Sequence, residues 1–104
     1  MVERAGVRHT QLTTRYQGHD IEVDVHIAPL LHAMWDHGYE TFGSCENIRA
    51  EMAVIWFNKD DQAAADRFCA EASPYWTSDL SSPTRPCIGF LSRDIEAITD
   101  LFSG

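Results

Sequence analysis

The spacing of apolar positions changes several times along the chain, and each change marks an element. With Ile27 at zero on a wheel of about 100° per residue, Leu30, Leu31, Met34 and Trp35 lie within about 80° of it, and Ala33 and Asp36 fall opposite. This is an amphipathic helix of about three turns. Asp24 is suited to cap its start, Pro29 is tolerated near the first turn, and Gly38 is placed to close it. Upstream, residues 8–16 are rich in β-branched and polar side chains and read as an edge strand. Gln17-Gly18-His19-Asp20 is a turn. Ile21, Val23 and Val25 then alternate with Glu22 and Asp24, which fits either a second hairpin strand or a lead-in to the helix.

Downstream, Tyr39-Glu40-Thr41-Phe42 forms a strand that ends at the small residues Gly43-Ser44-Cys45, and 46–50 is a loop. In 52–57, Met52, Val54 and Trp56 point one way and Ala53, Ile55 and Phe57 the other, as in a central strand covered on both faces. Asn58 to Asp61 turn into a second helix with an inner stripe of Ala64, Ala65, Phe68, Cys69 and Ala72. Residues 73–86 hold three prolines and four serines, and a loop of that length in a small domain is uncommon and often functional. Cys87 to Leu91 is another central strand. Ser92 caps a last helix bearing Ile95, Ile98, Leu101 and Phe102 on one face. The order β-α-β-β-α-β followed by a helix predicts a single α+β domain over 1–104, a ferredoxin-like sandwich with an added C-terminal helix.

At 104 residues, 44 % hydrophobic and 23 % charged, the composition is that of one globular domain with a core of its own. The formal net charge of −8 is uneven. Residues 1–15 carry +2 through Arg4, Arg8 and Arg15 against Glu3, so the remainder carries −10. That balance counts against direct nucleic-acid binding, which works by neutralising phosphates. The acids serve solubility, or they present a surface that mimics nucleic acid to a basic partner. Asp60, Asp61, Asp66 and Glu71 belong to a helix surface where solvated charge is ordinary. Cys45, Cys69 and Cys87 are odd in number and far apart, with no Cys-x-x-Cys pair. Met1-Val2-Glu3-Arg4 leads into no apolar run, and the longest such run, Met52 to Phe57, is far short of a membrane span. A cytoplasmic protein without membrane contact is expected, as a monomer or a homodimer.

No cofactor or metal motif is present: there is no Gly-x-Gly-x-x-Gly, P-loop, Gly-x-Ser-x-Gly or His-Glu-x-x-His. His26 and His37 are about 16 Å apart along the helix and His32 lies on the opposite flank, so no pair has the spacing to share a metal ion. Cys45 follows a strand and a Gly-Ser pair, where backbone N–H groups can form an anion nest and stabilise a thiolate. As a nucleophile it would need a base, drawn from His19, His26 or His37, with His26 the working choice. The competing reading is a buried small thiol, which holds also for Cys69 and Cys87. Tyr75 and Trp76 interrupt a polar loop, either as interface anchors or as a cover on the edge of the core.

The words Asp24-Val25-His26-Ile27-Ala28-Pro29-Leu30, Met34-Trp35 and Gly38-Tyr39-Glu40-Thr41-Phe42-Gly43-Ser44-Cys45 resemble a group of small actinobacterial and actinophage proteins. Those share Asp-x-x-Ile-Ala-x-Leu, then Leu/Met-Trp-x-x-Gly, then Thr-x-x-Ser-Cys. The likeness covers about a fifth of the chain and implies a phage-type origin without assigning an activity. The group often continues with an acidic or polar residue and glycine, where this chain has Glu46-Asn47. A fainter similarity, to the tRNA wybutosine-synthesising type 3 domain, rests on Thr-x-x-Ser-Cys after a helix and strand and implies methyl transfer.

Taken together, these features predict a small binding or regulatory module. Its expected working surface combines the turn at Gly43, Ser44, Glu46 and Asn47 with the 73–86 loop and its Tyr75 and Trp76, and its partner is a protein or a small ligand. The alternatives are a Cys45 enzyme with a histidine base and an acidic inhibitor that mimics nucleic acid.

Overall fold

A computed structural model describes residues 10–103. Strands β1 (Gln11–Tyr16) and β2 (His19–Asp24) form an antiparallel hairpin with Tyr16 opposite His19. Its two-residue turn, Gln17-Gly18, has positive φ at both positions, the arrangement whose twist suits a tight hairpin. The second hairpin strand therefore forms, but over His19–Asp24: His19 and Asp20 belong to it rather than to the turn, and Val25 lies beyond its end. Arg4, Arg8 and His9, the basic arm and the start of the expected first strand, lie outside the described residues.

Helix α1 (Ala28–Asp36) buries Ala28, Leu30, Leu31 and Met34, the stripe that the spacing predicts. Gly38, at φ +91°, ends it: the Tyr39 N–H donates to the Met34 carbonyl and the Gly38 N–H to the Trp35 carbonyl. Asp24 is not its cap. The N-cap position is Ile27, without a side-chain cap bond, because Asp24 is held in β2 by partners described below.

Strand β3 (Thr41–Arg49) runs past the expected end at Cys45, and residues 43–47 lie in this strand rather than in a turn. It pairs antiparallel with β4 (Met52–Phe57), with irregular register between Thr41 and Gly43 and between Cys45 and Arg49. These bulges let a segment of poor strand formers follow a strongly apolar partner. Helix α2 (Gln62–Glu71) is capped by the Asp61 carboxylate, which accepts from the Ala64 N–H, and buries Ala65 and Phe68. The proline- and serine-rich segment contains a short strand, β5 (Thr77–Asp79), and a bridge between Ser82 and Arg85. Strand β6 (Cys87–Leu91) follows, and a 3-10 turn at Ser92–Asp94 leads into helix α3 (Ile95–Ser103). Ile95, Ile98 and Phe102 are buried, whereas Leu101, expected on that face, is 43 % exposed.

The fold is α+β, with two antiparallel sheets. The four-stranded sheet has the order β3-β4-β6-β5 and is antiparallel throughout. It does not reproduce the ferredoxin-like order, because the N-terminal strands pair with each other and β5 completes the larger sheet instead. One face of that sheet supplies Ala53, Ile55, Phe57, Ile88 and Phe90 to a core shared with all three helices. At its centre Phe68 lies 5.6–6.4 Å, ring centre to ring centre, from Tyr39, Phe57, Phe90 and Phe102. Among the described residues no helix is long and apolar enough to cross a membrane.

Candidate functional site

The expected site residues separate into two regions. The first gathers around Asp24, a carboxylate only 3 % exposed. A buried carboxylate needs hydrogen-bond donors to offset its desolvation, and Asp24 has them. Its Oδ1 accepts from the Gln11 side-chain amide and its Oδ2 from the Glu46 backbone N–H, each at 2.9 Å, and the Cys45 thiol shares a hydrogen bond with it. Burial pushes the Cys45 thiol above the ordinary cysteine range, the facing Asp24 carboxylate pushes the same way, and a backbone hydrogen bond at Asn47 opposes them. The surroundings thus favour the thiol over the thiolate, the reverse of what a nucleophile needs.

Glu46 joins three elements. Its carboxylate accepts from the His26 backbone N–H at 2.7 Å and faces His26 Nδ1 at 3.0 Å, and its carbonyl accepts from the Ser92 hydroxyl at 2.5 Å. This hydrogen-bonded pairing raises the His26 pKa, so the imidazolium form gains from the folded state. The sign follows directly: this contribution is complete below the ordinary histidine pKa and fades as pH rises through the raised one. His26 also lines an open cleft of about 630 Å³ between the start of α1 and α3, together with Pro29, Arg93, Ile95 and Glu96. Glu46 orients the ring there, so Nε2 is the nitrogen left to exchange a proton or hydrogen-bond a guest. The neighbouring Ser92 hydroxyl is already engaged by the Glu46 carbonyl.

The other histidines among the described residues are placed apart from this network. His19 is exposed at the start of β2; His32 bonds Thr14; His37 packs edge-on to Phe102. Among the described residues no three His, Cys, Asp or Glu side chains are grouped to hold a metal ion. Glu71 lies on the solvent-exposed side of α2 as expected, and there it accepts from the Tyr39 hydroxyl at 2.6 Å and from Arg67 Nε at 3.3 Å, which lowers its pKa.

The second region brings Gly43 and Ser44 beside the later part of the 73–86 segment. Phe42, Gly43, Ser44 and Trp56 form one side of a shallow groove of about 530 Å³, and Ser82, Thr84 and Arg85 form the other. Phe42 is 64 % exposed, and the Arg85 guanidinium stacks 3.5 Å over its ring. Arg85 is fixed from its other side by donating to the Phe57 carbonyl at 3.2 Å. Of the two loop aromatics, Tyr75 packs against the core and Trp76 is 52 % exposed. Glu46 belongs to the Asp24 region and not to this groove: its N–H is bound by Asp24 and its carboxylate by His26, where the register of β3 against β4 becomes irregular.

Asp24, Phe42 and Arg85 are the residues that sequence reasoning missed. The signal for Asp24 was its place at the head of the Asp-x-x-Ile-Ala-x-Leu pattern. Phe42 and Arg85 left no such trace, because their pairing joins segments 43 residues apart. Compared with known proteins, the chain matches no family model, no curated protein and no solved structure.

The thiol chemistry is directly measurable. Peptide-resolved alkylation of Cys45 is expected to be slow at neutral pH, with its midpoint above that of a free cysteine. A midpoint at or below the free value would restore Cys45 as a candidate nucleophile.

Proposed function

We propose that the chain is a small protein-binding module whose partner seats in the groove between the first half of β3 and the 82–85 turn. The observation that carries this reading is the exposed Phe42 ring held under Arg85. Large apolar rings exposed on a small domain favour contact with a partner, and aromatic and arginine side chains dominate interface energetics. Because Arg85 is already fixed by the Phe57 carbonyl, little side-chain freedom is lost on binding. The groove also unites Gly43 and Ser44 with Arg85, Ser82 and Thr84, two segments that the sequence points to separately. A protein suits it better than a small ligand, since the groove is shallow and its strongest anchor projects outward.

Phe42→Ala and Arg85→Ala are each expected to weaken partner capture by about thirty-fold, which corresponds to about 2 kcal/mol. The melting temperature of Phe42→Ala should remain within a few degrees of the wild type, because an exposed ring adds little to the core. Unchanged capture by both variants would sink the reading, as would a wild type that captures no partner in its native lysate.

A further inference from the structure

At about 630 Å³ the cleft beside His26 exceeds the partner groove, and it falls within the range of about 300–1,000 Å³ that small-molecule sites occupy. Pro29 and Ile95 supply apolar lining, and His26, Arg93, Glu96 and Asp100 supply charge. These charges are divided along the cleft. Glu46 accepts from both the His26 N–H and the hydroxyl of Ser92, the residue before Arg93, so His26 lies at the Arg93 end. Glu96 and Asp100 follow about 5 and about 10 Å further along α3. Arg93, Glu96 and Asp100 are exposed, and none of them makes an ion pair or a side-chain hydrogen bond with another described residue. Their charges are therefore open to a guest.

Neither a simple anion nor a simple cation suits this lining. The first would meet Glu96 and Asp100, and the second would meet Arg93 and the His26 imidazolium. We propose that the cleft binds a small ω-amino carboxylate, with its carboxylate at His26 and Arg93 and its ammonium at Glu96 and Asp100. The guanidinium fork of Arg93 matches a carboxylate. Glu46 holds Nδ1 of His26 at 3.0 Å, which leaves the Nε2–H of the protonated ring to donate to the same group. Glu46, and to a lesser degree Asp24, raise the His26 pKa and so favour that protonated form. An extended chain of five methylenes separates the two ligand charges by about 7 Å, between the about 5 and about 10 Å offsets of the two carboxylates from Arg93. Its aliphatic stem then lies against Pro29 and Ile95.

The probe is 6-aminohexanoate, titrated into the full chain at constant pH while the His26 ring resonances are followed by NMR and assigned by their loss in His26→Gln. Half-saturation at about 1 mM is expected, within reach of a ligand of this size. Hexanoate and hexylamine each lack one charged contact and should bind at least about ten-fold more weakly. Arg93→Ala and Glu96→Gln, at exposed positions that the fold tolerates, should each weaken 6-aminohexanoate about ten-fold as well. Nα-acetyl-lysine tells two sources of this chemistry apart: affinity equal to that of 6-aminohexanoate assigns the C-terminus of a peptide, and exclusion assigns a free amino acid. No shift of the His26 resonances at about 50 mM 6-aminohexanoate overturns the proposal. Equal binding by hexanoate or by hexylamine overturns it too, since the cleft would then select one charge only. Phe42→Ala and Arg85→Ala should bind the probe as the wild type does, so this site and the partner groove are read apart.

Discussion

Phe68→Ala is expected to remove about 3–5 kcal/mol of stability and lower the melting temperature by about 15–30 °C. Phe68 is fully buried and meets rings from four places in the chain: Tyr39 after α1, Phe57 in β4, Phe90 in β6 and Phe102 in α3. Truncation loses the transfer free energy of the ring and leaves a cavity whose walls belong to different elements, so no single shift can close it. A domain of this size has a total stability of only about 5–15 kcal/mol, and the variant should approach its unfolding threshold at physiological temperature. Denaturant unfolding with two optical probes measures the effect. A loss below about 1 kcal/mol would mean that the aromatic cluster repacks freely and is not the centre of the core.

Asp24→Ala is expected to cost about 2–3 kcal/mol, although Asp24 touches little of the apolar core. The substitution leaves the Glu46 N–H and the Gln11 amide without their acceptor in a part-buried site. An unsatisfied donor costs more than the net value of the bond it made. Asp24→Asn should be milder, at about 1 kcal/mol, since its oxygen can serve the Glu46 N–H while its amide turns to Gln11, whose own amide can rotate to accept. The same pair reads the thiol: removing the carboxylate should bring the Cys45 pKa down towards the ordinary value, because one of the groups that raises it is gone. Equal stability of the two variants, or a Cys45 midpoint that does not move, would show that Asp24 is not the group around which this region is organised.

The two variants also mark where sequence reading succeeds. Phe68 was identifiable as core because Ala64, Ala65, Phe68, Cys69 and Ala72 recur at helical spacing, a property of neighbouring residues alone. Asp24 was read as a helix cap because it precedes an apolar helical stripe. Its observed role depends on Gln11, Cys45 and Glu46, at separations no local pattern encodes. The same reason explains β3 and β5. Gly43 to Asn47 are weak strand formers, and Thr77 to Asp79 lie among prolines and serines. Each becomes a strand because β4 or β6 offers it a ladder of backbone partners.

Apolar alternation in β4 was legible, and it correctly placed the strand at the centre of a sheet. It also implied cover on both faces, and Val54, on the face away from the helices, is indeed 1 % exposed, with the Leu80 and Met52 side chains lying over the neighbouring Gly89. Periodicity reports that a position is apolar; it does not report what covers it. The chain alone therefore determined its helices, its central strands and its α+β class, since these follow from interactions between residues a few positions apart. Strand order, the Asp24 network and the Phe42–Arg85 groove arose only on folding, because each depends on distant segments sharing hydrogen bonds or excluding water together.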